Sequence, residues 1–265
     1  MGLQGSRVWL TGASSGIGAA LVPALARRGA RVAVSARRGE LLESLAAEWR
    51  RGGADILVAP VDVTNREAVI ETAHRIEEAW GGIDLAVLNA GGHTPPSGHG
   101  FDTSQFVHVM TLNYFGVLYG IEAALPGMLQ RGRGHIAGVA SVAGYRGLPT
   151  AAAYGASKAA LIHALESIRF DLEPRGIMVT IVNPGFIRTP LTDKNRFHMP
   201  FLMEVDRAAA IIVAGLEHGR KEIHFPRVFS SILKLARVLP YPLYERIVRR
   251  ATAGQQRARG SVVGR

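Results

Sequence analysis

Short apolar runs alternate with longer amphipathic segments almost from the start of the chain. Runs rich in β-branched residues and leucine predict seven strands, at residues 8–10, 32–35, 56–59, 85–88, 135–139, 179–182 and 222–225. The segments between them carry apolar residues at helical spacing. Several strands are apolar on both faces, which is typical of a parallel sheet between two layers of helices. The pattern predicts an α/β chain with a doubly wound, mainly parallel, seven-stranded sheet and helices on both faces.

The net charge of +10 is concentrated near the end of the chain. Residues 225–265 contain nine of the 31 basic residues but one of the 21 acidic residues, so the rest of the chain is nearly balanced. Because no recognition motif accompanies this charge, we expect no nucleic-acid partner. The absence of cysteine excludes disulfides, thiolate metal sites and a cysteine nucleophile, and the nine histidines show no metal-site spacing. With no spanning-length apolar run and no secretion signal, a cytoplasmic location is expected.

The first predicted strand leads directly into a glycine-rich turn, which reads Thr11-Gly12-Ala13-Ser14-Ser15-Gly16-Ile17-Gly18 and continues into a helix. A bound pyrophosphate needs a backbone that can approach it closely and free N–H groups at a helix start. The glycines would supply the first, and the helix that begins near Ile17 would supply the second. A turn that serves tight packing is the alternative. Its place between the first strand and the first helix favours a dinucleotide site in a Rossmann-type fold.

The end of the second predicted strand bears on the choice of dinucleotide. It reads Ser35-Ala36-Arg37-Arg38, with no acidic residue before Glu40. An acidic residue there would bind the ribose hydroxyls and repel a 2′-phosphate, whereas a guanidinium binds that phosphate through paired hydrogen bonds. We therefore predict a preference for NADP(H) over NAD(H), with Arg37 as the selecting residue. The alternative is a solvated arginine pair at the start of the next helix.

Tyr154 and Lys158 stand four residues apart within a helical pattern, so both side chains lie on one helix face. A phenol ordinarily loses its proton near pH 10, and a nearby ammonium would lower that pKa. Tyr154 would then donate a proton to a carbonyl oxygen or accept one from an alcohol. Ser141 follows a predicted strand, where parallel sheets place ligand contacts, and its hydroxyl would hold the substrate oxygen beside Tyr154.

These motifs make the chain similar to the short-chain dehydrogenase/reductase family in its common single-domain form. The similarity covers about residues 5–225. It rests on five motifs in matching order and spacing, namely the turn at 11–18, Asp62-Val63, Asn89-Ala90-Gly91, Ser141 with Tyr154 and Lys158, and Pro184-Gly185 followed by Thr189. The resemblance implies an oxidoreductase that interconverts a carbonyl and a primary or secondary alcohol. A member that binds NADP without catalysis, as a sensor or scaffold, is the alternative.

The resemblance also implies a role for each matching residue. Tyr154 would be the general acid/base, Ser141 would stabilise the substrate oxygen, and Lys158 would bind the nicotinamide ribose and lower the pKa of Tyr154. Asn113, in Leu112-Asn113-Tyr114, would kink its helix and hold a water in a proton relay to Lys158. Besides Tyr154 and Lys158, the cofactor contacts would be Gly12, Ser14, Ser15, Gly16, Ile17, Gly18, Arg37, Arg38, Asp62, Val63, Asn89, Ala90, Gly91, Pro184, Gly185, Ile187 and Thr189.

One position departs from the family pattern. Many NADP-preferring members carry a basic residue just before the glycine that corresponds to Gly16, where this chain has Ser15. That leaves Arg37, with Ser14 and Arg38, to select the 2′-phosphate.

The stretch after Pro184 is apolar and contains few acidic residues. It includes Phe186, Leu191, Phe197, Met199, Phe201, Leu202 and Met203. Such a lid favours an apolar or lipid-like substrate, although ordinary core and dimer contacts explain it equally well. Beyond Ser141 and Tyr154, the candidate substrate contacts are Tyr145 and Phe186, with the loop 93–99 at the rim.

The similarity fades after residue 225. We expect residues 1–225 to form a dinucleotide-binding catalytic domain and residues 226–265 to form a basic amphipathic extension of the same domain. Segments within 226–252 interleave apolar and basic residues, a pattern of helices that lie on anionic membranes. Packing on the same subunit or on a partner, with the arginines solvated, is the favoured alternative. The resemblance further implies a homodimer or homotetramer, formed through helices that contain residues 113–129 and 154–172.

Overall fold

The predicted sheet is confirmed in the computed structural model, which describes residues 2–93, 101–193 and 199–260, with the backbone alone from residue 252. Its strands all pair in parallel, in the order β3-β2-β1-β4-β5-β6-β7. Their bounds are β1 Arg7–Thr11, β2 Arg31–Ser35, β3 Ile56–Val58, β4 Leu85–Leu88, β5 Gly134–Val139, β6 Ile177–Pro184 and β7 Glu222–Phe225.

Helices cover both faces of the sheet, as the doubly apolar strands require. They are α1 Gly16–Ala26, α2 Gly39–Arg51, α3 Arg66–Trp80, α4 Thr103–Met110, α5 Gly116–Gln130, α6 Ala152–Leu172, α7 Val205–Glu217, α8 Arg227–Arg237 and α9 Tyr241–Gly260. One apolar core lies between the sheet and α1, α2 and α7, and a second lies between the sheet and α3, α5 and α6. Trp9, fully buried in the second core, donates its indole N–H to Ser35 Oγ at 3.0 Å.

The strand order reverses at β1, which pairs with β2 on one side and with β4 on the other. Thr11 at the end of β1 is level with Ser35 on β2 and with Leu88 on β4. Chains that leave these strand ends diverge toward opposite sides, which opens a crevice at the carboxyl edge of the sheet. The glycine-rich turn lies at this reversal point.

The helix that follows β4 is interrupted once. Between α4 and α5, residues Thr111–Phe115 form a π-helical turn centred on the fully buried Asn113. Such turns are rare and occur often at functional sites. The helix irregularity that we expected at Asn113 is therefore present.

Helix α8, which follows β7, packs on the body of its own chain. Phe229 and Leu233 rest against the second core, Ser230 is fully buried, and Lys234 pairs with Glu222 at 2.5 Å. The guanidinium of Arg146 donates to the carbonyl oxygen of Ala236 in the last turn of α8, at 2.6 Å, and to that of Leu239 just after the helix, at 2.7 Å. Among the described residues, no helix combines the length and the apolar character needed to cross a membrane.

Candidate active site

A cleft of about 310 Å³ opens at the carboxyl ends of β1, β2, β4, β5 and β6. Of the predicted cofactor residues, all except Gly18 line it. They are Gly12, Ser14, Ser15, Gly16, Ile17, Arg37, Arg38, Asp62, Val63, Asn89, Ala90, Gly91, Tyr154, Lys158, Pro184, Gly185, Ile187 and Thr189, and Ser141 lies among them. Motifs that are far apart in the sequence thus meet in one cleft.

The glycine-rich turn is held against the end of β4. The Thr11 hydroxyl accepts hydrogen bonds from the backbone N–H groups of Asn89 and Ala90, at 3.0 and 3.1 Å. Gly12 has a φ of +70°, and a Cβ at this position would lie 2.7 Å from the Cα of Ala90. Gly18 is buried beneath the turn, where it lets α1 pack closely on β1. The two glycines thereby let the turn, the start of α1 and the end of β4 lie close together.

The start of α1 suits a diphosphate. Ser15, at the N-cap, makes no capping hydrogen bond with its side chain among the described residues, and the first turn of α1 contains no acidic residue. Free N–H groups and the positive end of the helix dipole therefore face the cleft. The close backbone approach at Gly12 and these donors together fit the pyrophosphate of a dinucleotide.

Two arginines and one carboxylate stand at the far end of the cleft. Arg37 and Arg38 are exposed, and Arg38 Nη2 donates to Ser14 Oγ at 3.2 Å. The Asp62 carboxylate accepts from the backbone N–H and the hydroxyl of Thr64, at 3.0 and 2.8 Å. The arginines thus supply positive charge beside the turn, and Asp62 is held in a fixed orientation.

Ser141, Tyr154 and Lys158 come together at the end of β5. Ser141 Oγ accepts from the backbone N–H of Ala143 at 3.1 Å and donates to the carbonyl oxygen of Pro184 at 3.4 Å. Lys158 is only 3% exposed, and its Nζ lies 5.8 Å from the centre of the Tyr154 ring. Both residues lie on α6, as their spacing predicts. A hydroxyl, a phenol and an ammonium therefore share one pocket.

The pKa values in this pocket differ from our expectation. Burial raises the pKa of the Tyr154 phenol, and the neighbouring Ser141 hydroxyl offsets this only in part. Burial also lowers the pKa of Lys158 to about 8. The causes of the shift in the Tyr154 pKa are burial and the Ser141 hydroxyl, so the lowering that we expected from Lys158 is absent here. Lys158 Nζ donates to the carbonyl oxygen of Val139, at 2.8 Å. The pKa of the phenol is therefore set mainly by burial, which raises it, and not by the ammonium of Lys158.

Asn113 lies behind the pocket and does not line the cleft. Its Oδ1 accepts from the backbone N–H of Gly92 at 2.8 Å, and its Nδ2 donates to Gly92 O at 2.9 Å and to Ser157 Oγ at 3.0 Å. A Cβ on Gly91 would lie 3.1 Å from Asn113 Oδ1 and 3.3 Å from Lys158 Nζ. Asn113 therefore fixes the loop after β4 directly beside Lys158.

Two predicted substrate contacts lie elsewhere. Tyr145 is buried, and its hydroxyl donates to Glu222 Oε1 at 2.8 Å in a second cavity beside β6 and α6. Phe186 stacks on Phe229 of α8, with ring centres 5.7 Å apart, and is not among the residues that line the cleft. Neither residue lines the cleft, because Tyr145 is bonded to Glu222 and Phe186 is stacked on Phe229.

His93, the first residue of the predicted rim loop 93–99, is a neighbour of Tyr154. Their rings meet edge to face with centres 5.3 Å apart, and His93 Nδ1 is buried without a hydrogen-bond partner among the described residues. Burial lowers the pKa of His93, so its imidazole stays neutral near pH 7. Leu112, Leu191 and Thr192 also line the cleft. The rest of the predicted rim loop, and Phe197 of the predicted lid, lie outside the described residues.

Comparison with known proteins agrees with this geometry. Residues 6–199 match the family described as short chain dehydrogenase. An uncharacterised oxidoreductase of Myxococcus xanthus is 39% identical over 241 residues, which cover 91% of this chain and 95% of that protein.

Two solved structures share the fold. A short-chain dehydrogenase/reductase of Burkholderia phymatum in complex with NAD has a TM-score of 0.81 at 23% identity and covers 89% of this chain and 94% of its own. A variant of actinorhodin polyketide ketoreductase with NADPH has a TM-score of 0.76 at 25% identity, with coverage of 83% and 95%. The chain therefore belongs to the short-chain dehydrogenase/reductase family, whose enzymes are NAD(P)-dependent oxidoreductases.

Proposed function

We propose that the protein is an NADP(H)-dependent oxidoreductase that interconverts a carbonyl and an alcohol on an apolar or lipid-like substrate. The observation that carries the proposal is the meeting of Ser141, Tyr154 and Lys158 beside the glycine-rich turn, in one cleft. A sensor or scaffold needs the turn alone. A phenol beside a buried hydroxyl and a buried ammonium at its inner end favours catalysis over mere binding.

The preference for NADP(H) is supported by charge. Arg37 and Arg38 line the cleft where the second strand ends, and Arg38 is held on Ser14 of the turn. A guanidinium that is already placed beside the ribose end would bind a 2′-phosphate through charge-assisted hydrogen bonds. The solved relatives carry NAD in one case and NADPH in another, so the arginines are the support for this choice.

The proton chemistry follows from the pocket. Because burial raises the pKa of Tyr154, its phenol keeps the proton at neutral pH and is ready to donate it to a carbonyl oxygen. Ser141 would donate a second hydrogen bond to the same oxygen and stabilise the charge that develops there. When bound, NADP(H) supplies or accepts the hydride at the substrate carbon. Lys158 would bind the nicotinamide ribose, and Asn113 would help to return a proton through a relay to Lys158.

The substrate class is inferred from the mouth of the cleft. Leu112 and Leu191 line it. In the segment after β6, the backbone of Ile187 pairs with that of Met203. Apolar groups at a pocket mouth favour apolar ligands. His93 supplies the polar exception beside Tyr154.

Assembly into a homodimer or homotetramer is part of the proposal. Phe170 on α6 is 79% exposed, and Phe115 beside α5 is also exposed. Large apolar side chains on the helices that the resemblance assigns to the interface favour burial against a second copy. We also propose that residues 226–265 extend the same domain as residues 1–225, because α8 packs on β7 and the second core.

A screen of aldehydes and ketones for NADPH consumption tests the activity, with Tyr154→Phe as the decisive variant. Loss of the general acid should lower kcat by about 100- to 10 000-fold, while NADPH binding stays close to that of the wild type. Tyr119→Phe, on α5 with its ring stacked on Phe115, is the matched control and should keep full activity. Wild-type turnover in Tyr154→Phe would refute the mechanism, and NADPH binding without turnover of any carbonyl would favour the sensor.

A further inference from the structure

Helix α8 exposes an apolar face to solvent in addition to the one that it buries. Phe229, Ser230 and Leu233 form its inner side. Val228, Ile232 and Leu235 are 62%, 56% and 67% exposed. Their spacing of four and three residues puts them on one side of the helix. An ordinary surface helix has polar residues there, so this outer face is unusual for a chain that folds alone in water.

The apolar exposure continues past the end of α8. Val238 is 75% exposed, and Tyr241, Leu243 and Ile247 of α9 are exposed as well. Leu243 and Ile247 are again four residues apart, on one side of their helix. We call Val228, Ile232 and Leu235, on one side of α8, the outer apolar face. Exposed apolar surface on this scale is typical of an interaction site.

The charged residues of α8 and of the described part of α9 are almost all positive. Arg227, Arg237, Arg246 and Arg250 are exposed. Glu245 is the single acidic residue of the segment 226–265, and it is paired with Arg249 at 3.2 Å. A second copy of this chain that docked through the same segment would bring the same positive charge and be repelled. A partner that combines an apolar interior with a negative surface fits both features.

We propose that the outer apolar face docks on the surface of a bilayer that contains anionic phospholipids. The valine, isoleucine and leucine side chains enter the boundary of the acyl chains, and the arginines bind the lipid phosphates. Helices of this kind lie in the interface and do not span the bilayer.

The helix that carries the outer apolar face also contacts the segment beside the cleft. Phe229, on the inner side of α8, stacks on Phe186 and on Phe201, with ring centres 5.7 and 5.8 Å apart. Phe186 directly follows Pro184 and Gly185, which line the cleft. A bilayer under α8 therefore lies close to the segment that borders the cleft. That consequence, delivery of a lipid-like substrate, rests on the proposed function, whereas the docking itself does not.

Vesicle flotation tests the docking with the full chain. We expect the protein to float with vesicles of phosphatidylglycerol and phosphatidylcholine, and to stay behind with phosphatidylcholine alone or in high salt. Ile232→Ser with Leu235→Ser should weaken binding at least about tenfold, because each side chain loses most of its burial in the acyl region. Leu41→Ser, at a 43% exposed leucine on α2, is the matched control and should bind as the wild type does.

Three further readouts separate the explanations. The double variant should keep the wild-type melting temperature and NADPH affinity, which shows that it is folded. Tyr154→Phe should float like the wild type, so that failure of the proposed catalysis leaves the docking intact. The proposal is overturned if the wild type ignores anionic vesicles, if the double variant floats as well as the wild type, or if light scattering shows that the double substitution dissociates an oligomer without affecting flotation.

Discussion

Replacement of Gly12 by alanine tests whether the close approach of the turn to β4 creates the dinucleotide site. Gly12 has a φ of +70°, and its added Cβ would lie 2.7 Å from Ala90 Cα and 2.9 Å from Ala90 N. Gly5 has the same φ of +70°, but among the described residues nothing lies within 4 Å of its Cβ position. Gly5→Ala is therefore a matched control, because the two variants share the backbone strain and differ in the collision.

The expected magnitudes follow from these distances. An L-residue in the left-handed region costs about 1–2 kcal/mol, so Gly5→Ala should lower the free energy of unfolding by that amount. In Gly12→Ala the overlap with the Ala90 backbone adds about 1–3 kcal/mol, as overpacking does in cores. Ala90 cannot easily yield, because its N–H is bound by the Thr11 hydroxyl at 3.1 Å. For a domain of this size each kcal/mol lowers the melting temperature by about 2–4 °C.

Thermal denaturation with and without NADPH is the assay. Cofactor at about 100 times its Kd should stabilise the wild type and Gly5→Ala by about 2.7 kcal/mol. Gly12→Ala should melt below Gly5→Ala and lose most of the NADPH effect, since the turn must move to accommodate the methyl group. Equal melting temperatures and equal NADPH effects in the two variants would show that the contact with β4 does not matter.

Two further predictions concern the ends of the cleft. The double substitution Arg37→Gln and Arg38→Gln should weaken NADPH binding about 10- to 100-fold, because charge-assisted hydrogen bonds to the 2′-phosphate are lost. NADH binding, measured by the same calorimetric titration, should stay nearly unchanged. An unaltered ratio of the two affinities would contradict selection of NADPH by the arginines. The pKa of Lys158 is lowered to about 8, so its ammonium is present below that pH and is lost above it. NADPH affinity should therefore fall as the pH rises through about 8, and a fluorescence titration that shows constant affinity from about pH 6.5 to 9.5 would exclude Lys158 as a charged ligand.

The fold could be predicted from the sequence because its strands are apolar on both faces and alternate with amphipathic helices. The ends of β6 were less predictable. The apolar run marks 179–182, while the strand spans Ile177–Pro184. Asn183 is polar, yet the strand continues through it, because its backbone pairs in register with His224 on β7. Its Nδ2 donates to Glu222 Oε1 on β7, at 2.9 Å, so a partner 39 residues away accepts from a side chain that looks like a strand end in the sequence.

The position of the Tyr145 side chain shows why residues that are close in sequence need not share a site. Tyr145 follows Ser141 by four residues, but a short helical turn at Val142–Gly144 separates them. The Tyr145 side chain then enters the second core, where its hydroxyl reaches Glu222, 77 residues further along the chain. Only the tertiary fold decides which of the two cavities the side chain enters. The glycine-rich turn was easier to interpret, because its function depends on backbone positions within one continuous segment.

The spacing of Tyr154 and Lys158 predicts that they share a helix face, and it does not predict their ionisation. Helical geometry fixes the positions of the Cβ atoms, whereas a pKa depends on the surroundings and the burial of the ionisable group at the end of the side chain. Here Lys158 Nζ ends on the Val139 carbonyl, 2.8 Å away, and burial raises the pKa of the phenol. In the proposed mechanism the phenol would therefore begin as the proton donor, which suits reduction of a carbonyl at neutral pH. Oxidation of an alcohol requires the opposite protonation state, so its rate should increase with pH until Tyr154 can accept a proton.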